Sequence, residues 1–324
     1  MLIEAREEVW PLNQPFRISR GSRTEAQVVV VTVTDGQRSG RGEAVPIKRY
    51  NQSVASVLAQ VESITGDTNL DRHRIQGLLA AGAARNALDC SLWDLEAKKS
   101  GKRVWELANV PMVPEVETSF TISLDTPAAM AAVAKSSAAA PILKLKLGGD
   151  DVDLARVEAV REAAPATRLL IDANESWSPA RYQKIAPALR GLRVELIEQP
   201  FPADADEVLE TLDHPIPVCA DESCHTSADL PRLTNRYEMV NVKLDKTGGL
   251  TEALLLCARA RESGFKILTG CMVGTSLGMA PARVLASAAD YVDLDGPLLL
   301  ARDRDHALTY ENNRIGLPSR QLWG

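Results

Sequence analysis

The stretch that decides the fold is ILKLKLGGDDVDLARVEAVREAAPATRLLIDAN, which covers residues 142–174. It begins and ends with short apolar runs, ILKLKL and RLLID, and the segment DVDLARVEAVREAAP between them has the length and composition of a helix. A strand, a helix and a second strand in this order form a parallel βαβ unit. The stretch therefore predicts a parallel sheet whose strands are joined by helices.

The same alternation of strand and helix continues from about Thr118 almost to the end of the chain. Besides the two runs above, the strand candidates are SFTISL, VELIEQP, IPVCADES, MVNVKLDK, FKILTGC and YVDLDGP. Eight such units in succession favour a closed barrel over an open doubly wound sheet. No Gly-x-Gly-x-x-Gly sequence follows any of these strands, which argues further against a dinucleotide-binding sheet.

The N-terminal third follows a different pattern. A β-branched run at Val28–Val33 and an Asp35-Gly36 turn predict an antiparallel hairpin. An Ala- and Leu-rich segment at Ala81–Gly101 predicts a helix that a glycine ends. We therefore predict an α+β domain over residues 1–113, joined by the tail 303–324, and a barrel over residues 114–302.

The composition limits the classes of partner. In 324 residues, 37 Lys and Arg stand against 43 Asp and Glu, a net charge of -6 without a long basic run, so nucleic acid is not an expected partner. No apolar run approaches the roughly 20 residues of a membrane helix, and the acidic N-terminus MLIEAREEVW has no apolar signal core, so we expect a cytoplasmic protein. Five cysteines without a Cys-x-x-Cys pair and four scattered histidines predict free thiols and no zinc site.

Two lysines, Lys144 and Lys146, stand in a strand that is otherwise apolar. Because residues i and i+2 of a strand point to the same side, these lysines share one face. Burial and a neighbouring cation both disfavour an ammonium ion, so a buried lysine pair is a device for lowering a lysine pKa until one of the two can act as a base. An edge strand with two solvated lysines is the alternative.

Three carboxylates stand where successive strands end. Asp172, Glu198 and Asp221 are 26 and then 23 residues apart, one in each βα unit. The strand ends of a barrel converge on one mouth, so these acids are expected to lie together. A self-repelling cluster of oxygen ligands without Cys or His indicates Mg²⁺, although each acid alone also fits a helix N-cap or a loop charge.

A further lysine, Lys243, stands in the strand segment VNVKLDK. Its strand lies roughly across the barrel mouth from the strand of Lys146, with the three carboxylates on the arc between them. A substrate carboxylate on the metal would place its α-carbon between the two lysines, one to remove the α-proton and the other to return a proton to the opposite face. The metal, with added positive charge from Lys144, would stabilise the ene-diolate.

With these residues the sequence resembles the enolase superfamily, within it the muconate-lactonizing subgroup, and most closely the dipeptide epimerases of the L-Ala-D/L-Glu type. The resemblance covers nearly the whole chain and is carried by GSRTEAQVVVV, AGAARNALDCSLWDL, LKLKL, DANESW, ADESCHT, YEMVNVKLDKTGGLTEAL, GCM and DLDGP. It implies an α/β fold, a modified TIM barrel (β/α)7β with an α+β capping domain built from both termini. It also implies Mg²⁺ on Asp172, Glu198 and Asp221, with Lys146 and Lys243 as the acid/base pair.

The resemblance further implies a small-molecule substrate, an L-Ala-Glu-type dipeptide from murein peptide metabolism, that is inverted at its C-terminal residue. Asp293 and Asp295 of YVDLDGP, on one strand face, match the pair that binds the α-ammonium of the dipeptide, which two anions suit. Arg23 in RISRGSRTE matches the arginine that meets the glutamate side chain, in a loop that resembles a mobile lid. Thr121 and Cys271 match positions that line the pocket; ordinary strand packing explains them equally well.

Three alternatives remain at the level of sequence. GTSLG satisfies Gly-x-Ser-x-Gly, and Ser276, Asp293 and His306 follow the chain order of an α/β-hydrolase triad, although no apolar strand leads directly into Ser276. A lyase or cycloisomerase, such as an o-succinylbenzoate synthase or a muconate lactonizing enzyme, would use the same lysines and metal. A catalytically silent barrel is the third. The sequence leaves the oligomeric state open, with a homo-oligomer among the alternatives.

Overall fold

The protein is described here by a computed structural model that covers residues 1–67 and 69–324. The N-terminal part of the chain is an antiparallel sheet covered by helices. Its strands are β1 (Leu2–Ile18), β2 (Gly21–Asp35) and β3 (Arg38–Ala44), and its helices are α1 (Val54–Glu62), α2 (Ile75–Leu78), α3 (Ala83–Ser100) and α4 (Val104–Leu107). The predicted hairpin is β2 and β3, which pair antiparallel from Val29–Ala44 to Asp35–Arg38.

The first strand, β1, is not anticipated by the sequence pattern. It pairs antiparallel with β2 and forms the edge of the sheet, and its register shifts between Pro11 and Phe16. Proline donates no hydrogen bond to a ladder, so an edge strand with an irregularity is where it is tolerated. The turn between β1 and β2 projects from this sheet toward the barrel.

The predicted helix at Ala81–Gly101 is α3, and it ends as expected. Gly101 has φ = 74°, the left-handed conformation that glycine adopts without strain at the end of a helix. Most side chains of α3 are buried, including the polar Arg85, Asn86 and Asp89. Buried polar groups need partners, and α3 finds them both within the N-terminal part, at Gln76 and Glu43, and on the barrel, at Asp245 and Thr247.

The remaining chain forms one sheet of eight parallel strands among the described residues, in the order β5 to β12. A short strand, β4 (Val116–Glu117), precedes β5 (Ser119–Ile122), β6 (Ile142–Lys146), β7 (Arg168–Asp172), β8 (Val194–Glu198), β9 (Val218–Ala220), β10 (Met239–Val242), β11 (Lys266–Gly270) and β12 (Tyr291–Asp293). The helices are α5 (Pro127–Ser136), α6 (Asp153–Ala163), α7 (Pro179–Gly191), α8 (Leu230–Leu233), α9 (Leu244–Thr247), α10 (Leu250–Glu262) and α11 (Ser276–Leu285). Each of the eight predicted strands is confirmed, and so is the modified TIM barrel with a capping domain.

The sheet closes into a barrel through side chains that join its first and last strands. Ser119 Oγ on β5 donates a hydrogen bond to Asp293 Oδ1 on β12, at 2.5 Å. The backbone N–H of Leu294 donates to Thr118 Oγ1, at 2.9 Å. The opposite end of the barrel interior is filled by Ile142, Leu170, Leu196, Cys219, Met239 and Leu268. Space for a ligand is therefore left at the carboxyl ends of the strands.

Strand β6, which carries the lysine pair, lies inside the barrel. It pairs with β5 on one side and with β7 on the other, and all five of its residues are buried. Lys144 is 1% exposed and Lys146 is 8% exposed. The prediction of a buried strand is confirmed, and the alternative of a solvated edge strand is wrong.

The C-terminal tail joins both parts of the molecule. Its strands β13 (Tyr310–Glu311) and β14 (Arg314–Ile315) form a small sheet with β4. Beyond them, Trp323 Nε1 donates to the carbonyl of Cys90 and the N–H of Gly324 to Asp94 Oδ1, both on α3. The tail thus returns to the N-terminal part, while the domain boundaries stay a prediction. Within the described residues, no helix is long and apolar enough to span a bilayer.

Candidate active site

The three predicted carboxylates lie together at the mouth of the barrel. Asp172 and Glu198 are the last residues of β7 and β8 and are paired in register, and Asp221 directly follows β9. One oxygen of each lies within 4.8 Å of the others, and all three side chains are buried. A buried cluster of carboxylate oxygens without nitrogen or sulfur ligands fits Mg²⁺.

Two lysines flank this triad on opposite sides. Lys146 Nζ lies 2.5 Å from Asp172 Oδ2, and Lys243 Nζ lies 2.7 Å from Asp221 Oδ2. Burial disfavours the Lys243 ammonium, but the charges of Asp221 and Glu198 outweigh it and hold the pKa of Lys243 above its ordinary value. Lys243 is therefore a buried ammonium at the wall of the site.

The third lysine, Lys144, connects the triad to the far side of the cavity. Its Nζ lies 2.6 Å from Glu198 Oε2, 2.6 Å from Asp293 Oδ2 and 3.8 Å from Asp172 Oδ2. Burial opposes this charge, yet Asp293, Glu198 and Asp172 together hold the pKa of Lys144 well above its usual range. Lys144 is thus a permanent cation shared between anions, and its predicted action on Lys146 stays a prediction.

The two aspartates of YVDLDGP are both buried at the mouth but differ in environment. Asp293 ends β12 and is bound by Lys144, whereas Asp295 lies beyond the strand and accepts the backbone N–H of Thr121 at 2.6 Å. The expectation that the pair shares a strand face is wrong, because the strand ends before Asp295. Burial and the charge of Asp293 raise the pKa of Asp295 to about 7.

A cavity of about 870 Å³ connects these groups with the capping domain. Nine of the residues singled out in the sequence line it: Arg23, Thr121, Lys144, Lys146, Asp221, Lys243, Cys271, Asp293 and Asp295. The guanidinium of Arg23 is half-buried and forms no ion pair within residues 1–67 and 69–324, and burial beside Arg20 lowers its pKa. The guanidinium lies over the ring of Phe16, 5.9 Å from the ring centroid. A cation at the wall of a cavity that has no carboxylate partner among the described residues suits an anionic ligand group.

The turn between β1 and β2 is tied down over the cavity by Arg20. Its guanidinium lies 2.6 Å from Glu222 Oε1 and 3.1 Å from Glu175 Oε2, and it donates to the carbonyl of Asn174 at 2.9 Å. Glu222 is buried directly beside Asp221, and burial together with the charges of Asp221 and Asp172 raises its pKa to about 7. The sequence argument did not single out Arg20, and its contacts are visible only in the fold.

Two more residues at the site escaped the sequence argument. Lys246 is fully buried, and its Nζ donates to Asp221 Oδ1 at 2.7 Å and to the carbonyl of Asn241 at 2.9 Å. Tyr50 of the capping domain lines the cavity, with its ring edge-on to His225 at 4.5 Å between centroids. The position of Lys246, three residues after Lys243 in KLDK, could have indicated that it lies at the site, whereas no sequence pattern indicates Tyr50.

The serine of GTSLG does not belong to a hydrolase triad. Ser276 Oγ donates to Asp303 Oδ2 at 2.5 Å and accepts the N–H of Leu308 at 3.0 Å. Asp293, the supposed triad acid, is occupied by Lys144, and His306 is exposed. The serine-hydrolase alternative is therefore wrong.

Family profiles match most of the chain. The profile described as the mandelate racemase / muconate lactonizing enzyme N-terminal domain matches residues 2–108. The profile described as enolase C-terminal domain-like matches residues 127–321. The two matches together include β1 to β3 and the whole barrel beyond β5.

Two curated relatives align over nearly their full length. An N-acetyl-D-glutamate racemase of Pseudoalteromonas is 45% identical over 92% of this chain and 95% of its own length. The L-Ala-D/L-Glu epimerase of Escherichia coli is 44% identical over 97% of this chain and 99% of its own length. The two names share the inversion of a glutamate residue that carries a substituent on its nitrogen.

Solved structures of similar proteins also include dipeptide epimerases. An enolase family member from Agrobacterium tumefaciens, described as having homology to dipeptide epimerases, superposes with a TM-score of 0.97 at 47% identity and covers 99% of both chains. That structure holds sodium and L-Ala-L-Glu with an ordered loop. Other dipeptide epimerases of the same fold are complexed with Mg²⁺ and a dipeptide.

Proposed function

The chain belongs to the mandelate racemase / muconate lactonizing enzyme family of the enolase superfamily, and we propose that it is a Mg²⁺-dependent dipeptide epimerase. As such it is an isomerase that inverts the α-carbon of the C-terminal residue of an L-Ala-Glu-type dipeptide. The observation that carries the proposal is the pair Lys146 and Lys243, which hold opposite sides of one carboxylate triad in one cavity.

The chain supplies both proton-transfer groups. Lys146 and Lys243 reach the triad from opposite sides, through Asp172 and Asp221. One lysine removes the α-proton of the substrate, and the other, holding a proton, delivers it to the opposite face of the same carbon. Mg²⁺ held by Asp172, Glu198 and Asp221 supplies the positive charge that stabilises the developing anion of the substrate carboxylate.

Charged groups on the cavity wall suit the charged groups of the dipeptide. Asp295, next to Asp293, offers a carboxylate to the α-ammonium, and Arg23 offers a guanidinium to the glutamate side chain. Charge-assisted hydrogen bonds of this kind fix the orientation of a ligand as well as its affinity. Thr121 and Cys271 line the same cavity.

A second candidate function is the racemisation of an N-acylglutamate. One relative is named an N-acetyl-D-glutamate racemase, and its name implies a substrate without an α-ammonium. Within this chain, the charge of Asp293 is already met by Lys144, and the pKa of Asp295 is raised to about 7. A ligand without an ammonium group would therefore not leave Asp293 and Asp295 as two uncompensated carboxylates. No such observation favours a lyase or a cycloisomerase.

Two matched substrates separate these candidates. We would measure kcat/KM for L-Ala-L-Glu and for N-acetyl-L-glutamate with Mg²⁺, following inversion by chiral chromatography. The proposal predicts that the dipeptide is preferred by about tenfold or more, the worth of one charge-assisted hydrogen bond, and that Asp295→Asn narrows the difference. A preference for N-acetyl-L-glutamate in the wild-type enzyme would assign the second function instead.

The cellular setting is proposed on composition and substrate type. An L-Ala-Glu-type dipeptide is a fragment of murein peptides, so we place the enzyme in murein peptide turnover in the cytoplasm. The acidic net charge of -6 supports the prediction that nucleic acid is not a partner. A homo-oligomer stays a prediction that sedimentation of the purified protein would test.

A further inference from the structure

Helix α3 of the capping domain presents a polar face to residues 244–251 of the barrel, which comprise α9, the Gly-Gly turn after it and the start of α10. We call this segment the Lys243 loop because it directly follows Lys243. Arg85 Nη2 donates to the carbonyl of Thr247 at 2.6 Å. Asp89 Oδ2 accepts the N–H of Thr251 at 2.9 Å, and Trp93 Nε1 donates to Thr251 Oγ1 at 3.0 Å. These donors and acceptors stand four residues apart along α3, so one helix face meets the loop.

The contact between α3 and the Lys243 loop leaves no room for a side chain at Gly248 or Gly249. A Cβ on Gly249 would lie 2.4 Å from Cβ of Asp89, and a Cβ on Gly248 would lie 2.4 Å from Nε of Arg85. Both glycines have positive φ, 76° for Gly248 and 112° for Gly249. The Gly-Gly pair is therefore required by close approach as well as by the backbone path.

The link closest to the reacting end of the site is made by Asp245, two residues from Lys243. Its Oδ1 accepts the N–H of Val45 and Nδ2 of Asn86, each at 2.9 Å. All these groups are buried. The main chain of Lys243 is bound to the same segment, because the carbonyl of Lys243 accepts the N–H of Thr247 at 3.0 Å.

The other lysine has a different support. Lys146 stands on β6, whose ladders to β5 and β7 belong to the barrel. Its Nζ is held by Asp172 of the adjacent strand. Lys243 directly follows β10 and its Nζ is held by Asp221, so the barrel supports both lysines. Lys243 differs from Lys146 in that the segment after it also rests on the capping domain.

We propose that α3 and Asp245 are positioning elements for Lys243 alone, so that damage to this contact impairs proton transfer on one face of the substrate and spares the other. The inference rests on the proposed two-lysine epimerisation. It assigns Asn86 and Asp245 a role in catalysis without contact to substrate. The capping domain then does more than close the cavity: it completes one half of the acid/base pair.

The consequence is visible in the ratio of proton exchange to inversion, measured by proton NMR in D₂O for each epimer of Ala-Glu. When Lys243 is displaced, the epimer whose proton Lys146 removes continues to exchange that proton but is inverted more slowly. The opposite epimer loses exchange and inversion together. Lys243→Ala identifies which epimer depends on which lysine.

The test compares Asn86→Ala and Asp245→Ala with Asp245→Asn, which keeps an oxygen acceptor. We expect the first two to raise the exchange-to-inversion ratio of the Lys146-dependent epimer about tenfold, and Asp245→Asn to stay near the wild type. Val57→Ala, which removes packing inside the core of the capping domain, is the control for general destabilisation. Its ratio should not change, even where its melting temperature falls as far as that of Asn86→Ala.

The outcomes separate the inference from the function on which it rests. The inference would be overturned if Asn86→Ala lost exchange and inversion equally for both epimers, or if neither rate changed. In both cases, exchange of both epimers by the wild-type enzyme would still uphold the proposed function. Wild-type enzyme that exchanges neither epimer would overturn the proposed function and this inference with it.

Discussion

Lys144 and Asp293 form a buried ion pair, with Nζ 2.6 Å from Oδ2, that links the carboxylate triad to the last strand of the barrel. The same ammonium lies 2.6 Å from Glu198, and Asp293 also accepts the hydrogen bond from Ser119 that helps close the barrel. A single cation therefore serves the proposed metal site, the proposed substrate-amine site and the closure of the sheet. Replacement of Lys144 should therefore lower both the free energy of unfolding and the rate of turnover.

Replacement of Lys144 by methionine should destabilise the metal-free protein by about 3–5 kcal/mol, because Glu198 and Asp293 would lose the cation that compensates them in the interior. Urea unfolding in EDTA measures this change. The matched control is Lys99→Met, whose partner Asp35 is exposed and whose loss should have little effect on the free energy of unfolding. Equal small effects of both variants would contradict the role given to Lys144.

The affinity for a dipeptide should depend on the ionisation of Asp295. Its pKa is raised to about 7 by burial and by Asp293, so the carboxyl is largely neutral at pH 6 and becomes the partner of an ammonium above pH 7. We expect KM for L-Ala-L-Glu to fall as pH rises through this range, where the substrate amine, with a pKa of about 7.7–8.0, is still mostly charged. N-acetyl-L-glutamate should show no such fall, and neither should the Asp295→Asn variant with the dipeptide.

The same shift has an opposite effect on folding. A carboxyl with a raised pKa in the folded state binds more protons there than in the unfolded chain between about pH 4 and pH 7. The contribution of Asp295 to stability therefore falls as pH rises through this window. Asp295→Asn should flatten that part of the pH profile of the unfolding free energy, and an unchanged slope would contradict the shift.

Removal of Mg²⁺ should abolish activity without unfolding the protein. Each carboxylate of the triad already has a lysine within 2.7 Å, as shown by the pairs Lys146–Asp172, Lys144–Glu198 and Lys243–Asp221. These cations offset the repulsion that the triad would otherwise suffer. Circular dichroism in EDTA should therefore match that of the holoenzyme, and added Mg²⁺ should restore turnover. Full activity after exhaustive chelation would contradict the metal assignment.

Arg20, on the turn between β1 and β2, and Arg17, near the end of β1, should behave differently. Arg20→Gln removes the tie to the buried Glu222 and should raise KM several-fold. Arg17→Gln removes an exposed pair with Asp125, which is worth about 1 kcal/mol at most, and should leave KM unchanged. Steady-state kinetics of the two variants compares them directly, and indistinguishable KM values would contradict a role for Arg20 in holding the turn.

The residues of the proposed chemistry could be found from sequence because the barrel imposes a simple rule. Strand ends converge on one mouth, so Asp172, Glu198 and Asp221 could be grouped from their order along the chain alone. Period-two alternation placed Lys144 and Lys146 on one face. Both arguments use local patterns that repeat once for each strand.

The other contacts of the site could not be predicted from sequence, because they form between segments that only the tertiary fold brings together. Arg20 and Glu222 are 202 positions apart and meet only when the turn of the capping domain lies over the barrel. Asp295 lies past the end of its strand, where alternation no longer predicts direction. Strand β1 was missed because its prolines weaken the pattern of a strand and are tolerated only at the edge of the sheet.

Proton NMR of L-Ala-L-Glu in D₂O, with the wild-type enzyme and Mg²⁺, tests the two-lysine epimerisation most directly. We expect the glutamate α-proton signal to disappear and L-Ala-D-Glu to accumulate with deuterium at its α-carbon, while Lys146→Ala and Lys243→Ala each abolish inversion. Neither exchange nor inversion with either epimer of Ala-Glu would contradict it.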